Sequence, residues 1–164
     1  VLNHGPNVLF RNDPGGFVDI TATASVGDPG KGMTASWADY NQDGYLDLFV
    51  SNWLCDDCVN PPDPVGSRDR LYRNNGNGTF TDVTDLLGYD VTLGSTFSAI
   101  WLDIDNDNDS DCFIGDVDGN ISYYENDELK FLTNCYGGSF MPDFSGNKLV
   151  YSSFENGHLL VEMN

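Results

Sequence analysis

Positive charge is scarce in this sequence. Seven lysines and arginines face 26 aspartates and glutamates, a formal net charge of −19 over 164 residues. Nucleic acid and anionic membrane surfaces would be repelled by such a chain, so both are excluded as partners, and cations are favoured. Long apolar runs are missing too. None approaches the roughly 20 residues needed to cross a bilayer, which excludes membrane insertion by a helix. No segment sustains a helical period; "TDVTDLLG" comes nearest and is too short to matter. Histidine is nearly absent, with His4 and His158 at opposite ends of the chain, and no serine or cysteine sits near a plausible base. No catalytic constellation stands out, and the expectation is a protein that is not an enzyme. With neither an initiator methionine nor a signal peptide, the chain reads as a mature or excised product.

What is present is enough to fold. A hydrophobic content of 40% and an aromatic content of 13% argue for a packed core despite the acidity. The four cysteines are Cys55, Cys58, Cys112 and Cys135. A redox reading of "CDDC" needs a helix N-terminus in a βαβ unit, and a zinc reading needs further ligands that the distant histidines do not supply. Structural disulfides are therefore expected, and with them an oxidising, extracellular setting. Cys112 falls at an inward strand position, so it is expected to pair with Cys135 across neighbouring strands, leaving Cys55 to close on Cys58.

Two internal copies organise the chain. "NVLFRNDPGGFVDIT" (7–21) aligns with "DRLYRNNGNGTFTDVT" (69–84), and "MTASWADYNQDGYLDLFV" (33–50) aligns with "TFSAIWLDIDNDNDSDCFI" (96–114). Arg11-Asn12 matches Arg73-Asn74, and Trp37 matches Trp101, 64 residues on. A weaker third copy runs from "NISYYENDELKFLT" into "DFSGNKLVY". The expected division is a first unit over 1–54, a loop rich in proline and cysteine over 55–68, a second unit over 69–118 and a degenerate third over 119–164. Each unit reads as β: short aromatic and β-branched strands separated by glycine- and asparagine-rich turns. The tail "FENGHLLVEM" reads as a final strand or hairpin about Asn156-Gly157. The fold class is thus all-β, with about two and a half antiparallel units and acidic loops between strands.

Those loops carry the chemistry. Oxygen-bearing side chains recur at the first, third, fifth and ninth positions: Asp39, Asn41, Asp43 and Asp47 in one, Asp103, Asp105, Asp107 and Asp111 in the other. Without a cation such carboxylates repel one another and raise their own pKa values. Calcium resolves the conflict, because it accepts six to eight hard oxygens at about 2.3–2.6 Å in adaptable geometry, whereas magnesium demands a tighter octahedron. Backbone carbonyls at the seventh position, Tyr45 and Asp109, complete each set. The sixth position needs φ > 0, which Gly44 meets without steric cost and Asn108 tolerates next best.

The opening of each loop is similar to an EF-hand, but Val50 and Ile114 stand where its twelfth-position glutamate belongs. The ninth-position aspartate and the flanking strands resemble instead the FG-GAP or VCBS repeat, on the residues "LFRNDPGGFVDIT…SWADYNQDGYLDLFVSN" and "LYRNNGNGTFTDVT…AIWLDIDNDNDSDCFIGD". That resemblance implies propeller blades of four antiparallel strands, with calcium held in the hairpin loop by the ten residues named above. Asn108 departs from the usual glycine. The third copy offers Asp143, Ser145 and Asn147 but Tyr151 at the ninth position, so two sites are expected.

Other features carry blander readings. Trp37 and Trp101 precede their loops by two residues in a strand, which favours core packing over sugar stacking. Asp116 and Asp118 read as turn residues, and "NGT" and "NIS" match the N-glycosylation pattern. Two functions remain. One is a calcium-dependent extracellular structural protein that assembles with copies of itself into an oligomer or filament. The other is part of a larger β-propeller adhesin that binds a protein or glycan. Closed propellers need at least four blades, so sheet faces at the ends of this chain await cover.

Overall fold

Alternating apolar and small side chains on either side of the acidic loops form paired strands whose register the loops fix. The fold is taken from a computed structural model describing residues 1–2, 5–53, 68–87, 96–103, 108–116, 121–125, 128–131, 139–145, 148–155 and 158–163, with side chains followed as far as Gly115. It opens with a hairpin of β1 (Phe10–Asp13) and β2 (Gly16–Asp19), followed by a single helical turn, α1 (Thr21–Ala24). The first four-stranded sheet holds β3 (Gly32–Ala38), β4 (Asp47–Asn52), β5 (Arg70–Asn74) and β6 (Phe80–Asp82) in chain order. A 3-10 turn (Thr84–Leu87) leads to the second, with β7 (Thr96–Leu102), β8 (Asp111–Asp116), β9 (Ile121–Glu125) and β10 (Glu128–Phe131). A three-stranded sheet of β11 (Ser139–Ser145), β12 (Lys148–Glu155) and β13 (His158–Met163) ends the chain. Every pairing is antiparallel among the described residues, with Glu155 opposite His158, and the Asn156-Gly157 turn expected from the sequence lies outside those residues. The chain is all-β in repeated antiparallel sheets. Among the described residues no helix is long and apolar enough to cross a membrane.

The repetition extends to single hydrogen bonds. Thr21 Oγ1 accepts from Leu9 N–H at 2.8 Å, as Thr84 Oγ1 accepts from Leu71 N–H at 3.1 Å. Asp19 caps Thr21 N–H at 2.9 Å, as Asp82 caps Thr84 N–H at 3.0 Å. The β1–β2 hairpin is therefore the counterpart of β5–β6. It follows that sheets and sequence units are out of phase: a sheet takes its first hairpin from one unit and its second from the next.

Strand alternation splits β4 between two cores. Leu48 and Val50 point one way, into a cluster with Ala24, Val26 and Tyr72 that Leu2, Leu9 and Ile20 cover. Phe49 points the other way, into a cluster with Leu71, Leu87, Ala99, Cys112 and Ile114 between the two four-stranded sheets. Phe49 and Phe113 are wholly buried. Buried polar latches hold the same surfaces at their edges. Asp69 accepts from Asn52 N–H at 2.7 Å and from Thr96 Oγ1 at 2.6 Å, tying β7 to the first sheet. Asp28 accepts from Asn52 Nδ2 at 2.7 Å and lies 3.5 Å from Arg70 Nε, tying the segment after α1 to β4 and β5.

Two expectations are corrected. Cys112 is a buried free thiol, not a half-cystine, so its pairing with Cys135 is not made. It stands where the first unit has Leu48 and is packed as a small apolar side chain in the interface between sheets. Cys55, Cys58 and Cys135 lie outside the described residues. Trp101 does pack against the core, half-buried, but Trp37 is 44% exposed.

Burial pushes the Cys112 thiol up, with the Asp69 and Asp111 carboxylates adding to it. A thiol raised in the folded state stabilises fully below its unfolded pKa of about 8.5. Stability should therefore fall as pH rises beyond that point, less so in Cys112→Ala. Cys112 should take up a thiol reagent only after unfolding; resistance in denaturant without reductant would restore a disulfide. Phe49→Ala should cost about 3–5 kcal/mol in urea unfolding, the range for an emptied aromatic core site.

Candidate metal centre

The first acidic loop closes on the pair Ala38↔Asp47 at the mouth of the β3–β4 hairpin. Its backbone curls through two left-handed residues, Gln42 (φ 57°) and Gly44 (φ 87°). Gly44 meets the expectation, whereas nothing in the sequence marked Gln42. The curl brings the side chains inward. Asp39 accepts from Asp43 N–H at 2.9 Å and Gly44 N–H at 2.8 Å, and Asn41 Oδ1 from Asp43 N–H at 3.1 Å. Asp43 in turn accepts from Tyr45 N–H at 3.0 Å and from Asn41 Nδ2 at 3.0 Å. The Tyr45 ring lies over Gly76, where an added Cβ would sit 2.6 Å from it.

Asp47 differs from the other three, being 1% exposed. Its carboxylate accepts from Asn74 N–H at 2.7 Å and Tyr40 N–H at 3.3 Å, and Asn74 Nδ2 donates to Leu46 O at 3.0 Å. One buried carboxylate thus joins the loop, β4 and β5. Burial raises its pKa; the two N–H donors oppose the rise, and the charges of Asp43 and Asp39 reinforce it. Asn74 is the residue that sequence reasoning missed. The repeated Arg-Asn pair was its only signal, and spacing alone assigned it no role.

The second loop repeats the visible part of this geometry. Leu102↔Asp111 closes the hairpin, and Asp111 is 1% exposed. Asp103 Oδ2 accepts from Asn108 N–H at 3.0 Å, the counterpart of the Gly44 bond, and Asn108 has φ 74°. Asp109 lies in the described part of the loop, whereas Asp105 and Asp107 lie outside it. In the third copy Ser145 pairs with Lys148 and Asp143 with Val150, while Asn147 lies outside the described residues.

All the donors in these loops are oxygens of carboxylate, amide or backbone, which suits a hard cation. Among the described residues no three acidic, histidine or cysteine side chains are gathered as a closed cage; those of the first loop are directed onto its own N–H groups. Three carboxylates, a side-chain amide oxygen and a backbone carbonyl in one loop are a donor set that would suit calcium, and the charges of Asp43 and Asp39 reach the Asp47 carboxylate.

Comparison with known proteins agrees with the repeat. A family model described as FG-GAP-like repeat matches residues 1–50 and 58–114. Cartilage acidic protein 1 of Homo sapiens is 32% identical over 117 residues, covering 70% of this chain and 16% of that protein. Its Xenopus tropicalis counterpart is 31% identical over 120 residues, again 70% and 16%, and the Mus musculus one 46% over 52 residues, 30% and 8%. The chain thus spans less than a fifth of the length of these relatives.

The left-handed positions give a direct test of the loop geometry. Gly44→Val should cost about 1–2 kcal/mol in urea unfolding, the penalty of a side chain at positive φ. Asn108→Gly, which removes a side chain from the equivalent position, should bring no comparable loss.

Proposed function

The chain belongs to the FG-GAP-like repeat family, and on that premise we propose that it is a non-enzymatic, extracellular calcium-binding structural protein that assembles with copies of itself. The observation that carries the calcium reading is Asp47. Its carboxylate is buried, burial is what chiefly raises its pKa, the charges of Asp43 and Asp39 add to the rise, and the oxygens of Asp39, Asn41, Asp43 and Tyr45 belong to the same loop. A bound calcium ion would neutralise these carboxylates. The residues of the second site are Asp103, Asp105, Asp107, Asp111 and the Asp109 carbonyl. Because Asp47 already holds Asn74 and Tyr40, an ion bound there stabilises β3, β4 and β5 together and does not act as a switch. The extracellular setting accords with relatives named for cartilage and for acidity, a property this chain shares at −19. Self-assembly would follow from the general tendency of repeat units to bury their faces on neighbours.

The relatives' greater length favours a second reading, in which these sheets are one stretch of a longer propeller that binds a protein or glycan.

Calorimetric titration of chelator-treated protein should count two calcium ions per chain. Asp43→Ala should remove one and Asp107→Ala the other. Native-state binding adds about 2.7 kcal/mol at a hundredfold excess over Kd, so a chelator should lower the melting temperature clearly. An unchanged melting curve in excess chelator would end the calcium reading.

A further inference from the structure

An asparagine or aspartate followed by glycine is the place where a chain can react with itself, because a nitrogen without a neighbouring Cβ is open to the side-chain carbonyl before it. The described residues contain three such pairs: Asp43-Gly44 in the first acidic loop, and Asn75-Gly76 and Asn77-Gly78 in the turn between β5 and β6. Asp118-Gly119 and Asn156-Gly157 lie outside them. Reaction needs a glycine N–H free to lose its proton, a side-chain carbonyl held near that nitrogen and an amide nitrogen free to leave.

Two of the three pairs are protected. Gly44 N–H donates to Asp39 Oδ2 at 2.8 Å, and the group beside it on Asp43 is a carboxylate, a poor electrophile. Gly76 N–H donates to Asn74 Oδ1 at 2.9 Å. The Asn75 amide is also pinned across the hairpin: Nδ2 donates to Thr79 Oγ1 and Oδ1 accepts from Thr81 Oγ1, both at 3.0 Å.

The third pair is arranged the other way. Asn77 is exposed, and among the described residues neither its Nδ2 nor Gly78 N–H makes a hydrogen bond. Asn77 Oδ1 accepts from Thr79 N–H at 3.0 Å and from Thr79 Oγ1 at 2.7 Å, which folds the side chain forward over the Gly78 peptide. Those two donors draw charge from Cγ and stand where an oxyanion on it would form. Gly78 has φ 85° and open space where a Cβ would stand, so the approach is clear.

We propose that Asn77 is a self-modification site, converted by water to isoaspartate and aspartate while Asn75, two residues away, is spared. Hydroxide removes the Gly78 N–H proton, and the nitrogen attacks Asn77 Cγ. The bond from Cγ to Nδ2 breaks, the leaving nitrogen takes a proton from water and departs as ammonia, and a cyclic imide remains. Water then opens either carbonyl. Opening at the Asn77 backbone carbonyl gives isoaspartate, with one more carbon in the main chain; opening at Cγ gives aspartate. No atom is oxidised or reduced, and either product adds one negative charge. That charge arises one residue from Gly76, on which the Tyr45 ring of the first acidic loop rests.

Peptide mapping by mass spectrometry after timed incubation of the full chain tests it, with a protein isoaspartyl methyltransferase counting the isoaspartyl product. In the native fold Asn77 should convert at least about tenfold faster than Asn75, the worth of one hydrogen bond of about 1.4 kcal/mol. Its rate should rise with pH. In urea, where the two pairs are alike, the two rates should come together. Thr79→Val, which removes the hydroxyl donor and keeps the N–H, should slow Asn77 in the native chain and not in urea. Equal native rates at the two asparagines, or an Asn77 that survives in the native chain and converts only in urea, would overturn the proposal. An unchanged native rate in a Thr79→Val chain with wild-type circular dichroism would overturn the part given to the hydroxyl.

Discussion

The buried carboxylate of Asp47 fixes the register on which the rest of the structure depends. It closes the β3–β4 hairpin opposite Ala38 and is held from β5 by Asn74 N–H at 2.7 Å. A strand slipped by one residue would turn every side chain to the other face. Pinning Asp47 therefore decides that Leu48 and Val50 enter one core and Phe49 the other. Asp111 holds the same place before Cys112, Phe113 and Ile114. Loop chemistry and sheet packing are in this sense one problem, because the last oxygen donor of each loop is also the first residue of the strand buried on both faces.

The stack is held by two kinds of contact with different strengths. Apolar clusters between sheets supply most of the stabilisation, and wholly buried Phe49 and Phe113 are the largest contributors in volume. The polar latches at Asp28 and Asp69 add less net energy but are costly to break, since an unpaired buried carboxylate loses its solvation without return. Asn7 and Gly32 stand at one end of the first sheet where Asp69 and Thr96 stand at the next. A Cβ on Gly32 would sit 2.6 Å from Asn7 Oδ1, while Thr96 spends its hydroxyl on Asp69. The repeat thus keeps its geometry while exchanging the chemistry of the latch.

Much of this was legible in the residues, for physical reasons that can be named. Strands flanking the acidic loops declared themselves through β-branched and aromatic alternation, and Gly44 through the need for positive φ. The phase of the sheets was not legible: a repeat in sequence has no marked beginning, so "RLYRN" could belong to the sheet before or after it. Trp37 was expected in a core because, like Trp101, it precedes its loop by two residues in a strand. What differs is the ring contact, Phe80 of its own sheet for Trp37 against Tyr40 and Phe49 for Trp101, which strand pattern does not encode. Cys112 was expected in a disulfide from its inward strand position, although that place, held by Leu48 in the first unit, equally fits a small apolar filler. Asn74 acts on Asp47 through its backbone N–H, and a backbone donor leaves no trace in side-chain spacing.

The central claim is that the oxygens around Asp47 and Asp111 hold calcium. Diffraction from crystals grown in calcium, recorded at a wavelength where calcium scatters anomalously, tests it most directly. Two anomalous peaks per chain are expected, one among Asp39, Asn41, Asp43 and Asp47 and one among Asp103, Asp105, Asp107 and Asp111. Anomalous density absent from both loops, with the Asp47 carboxylate still bound only by Asn74 and Tyr40, would contradict it.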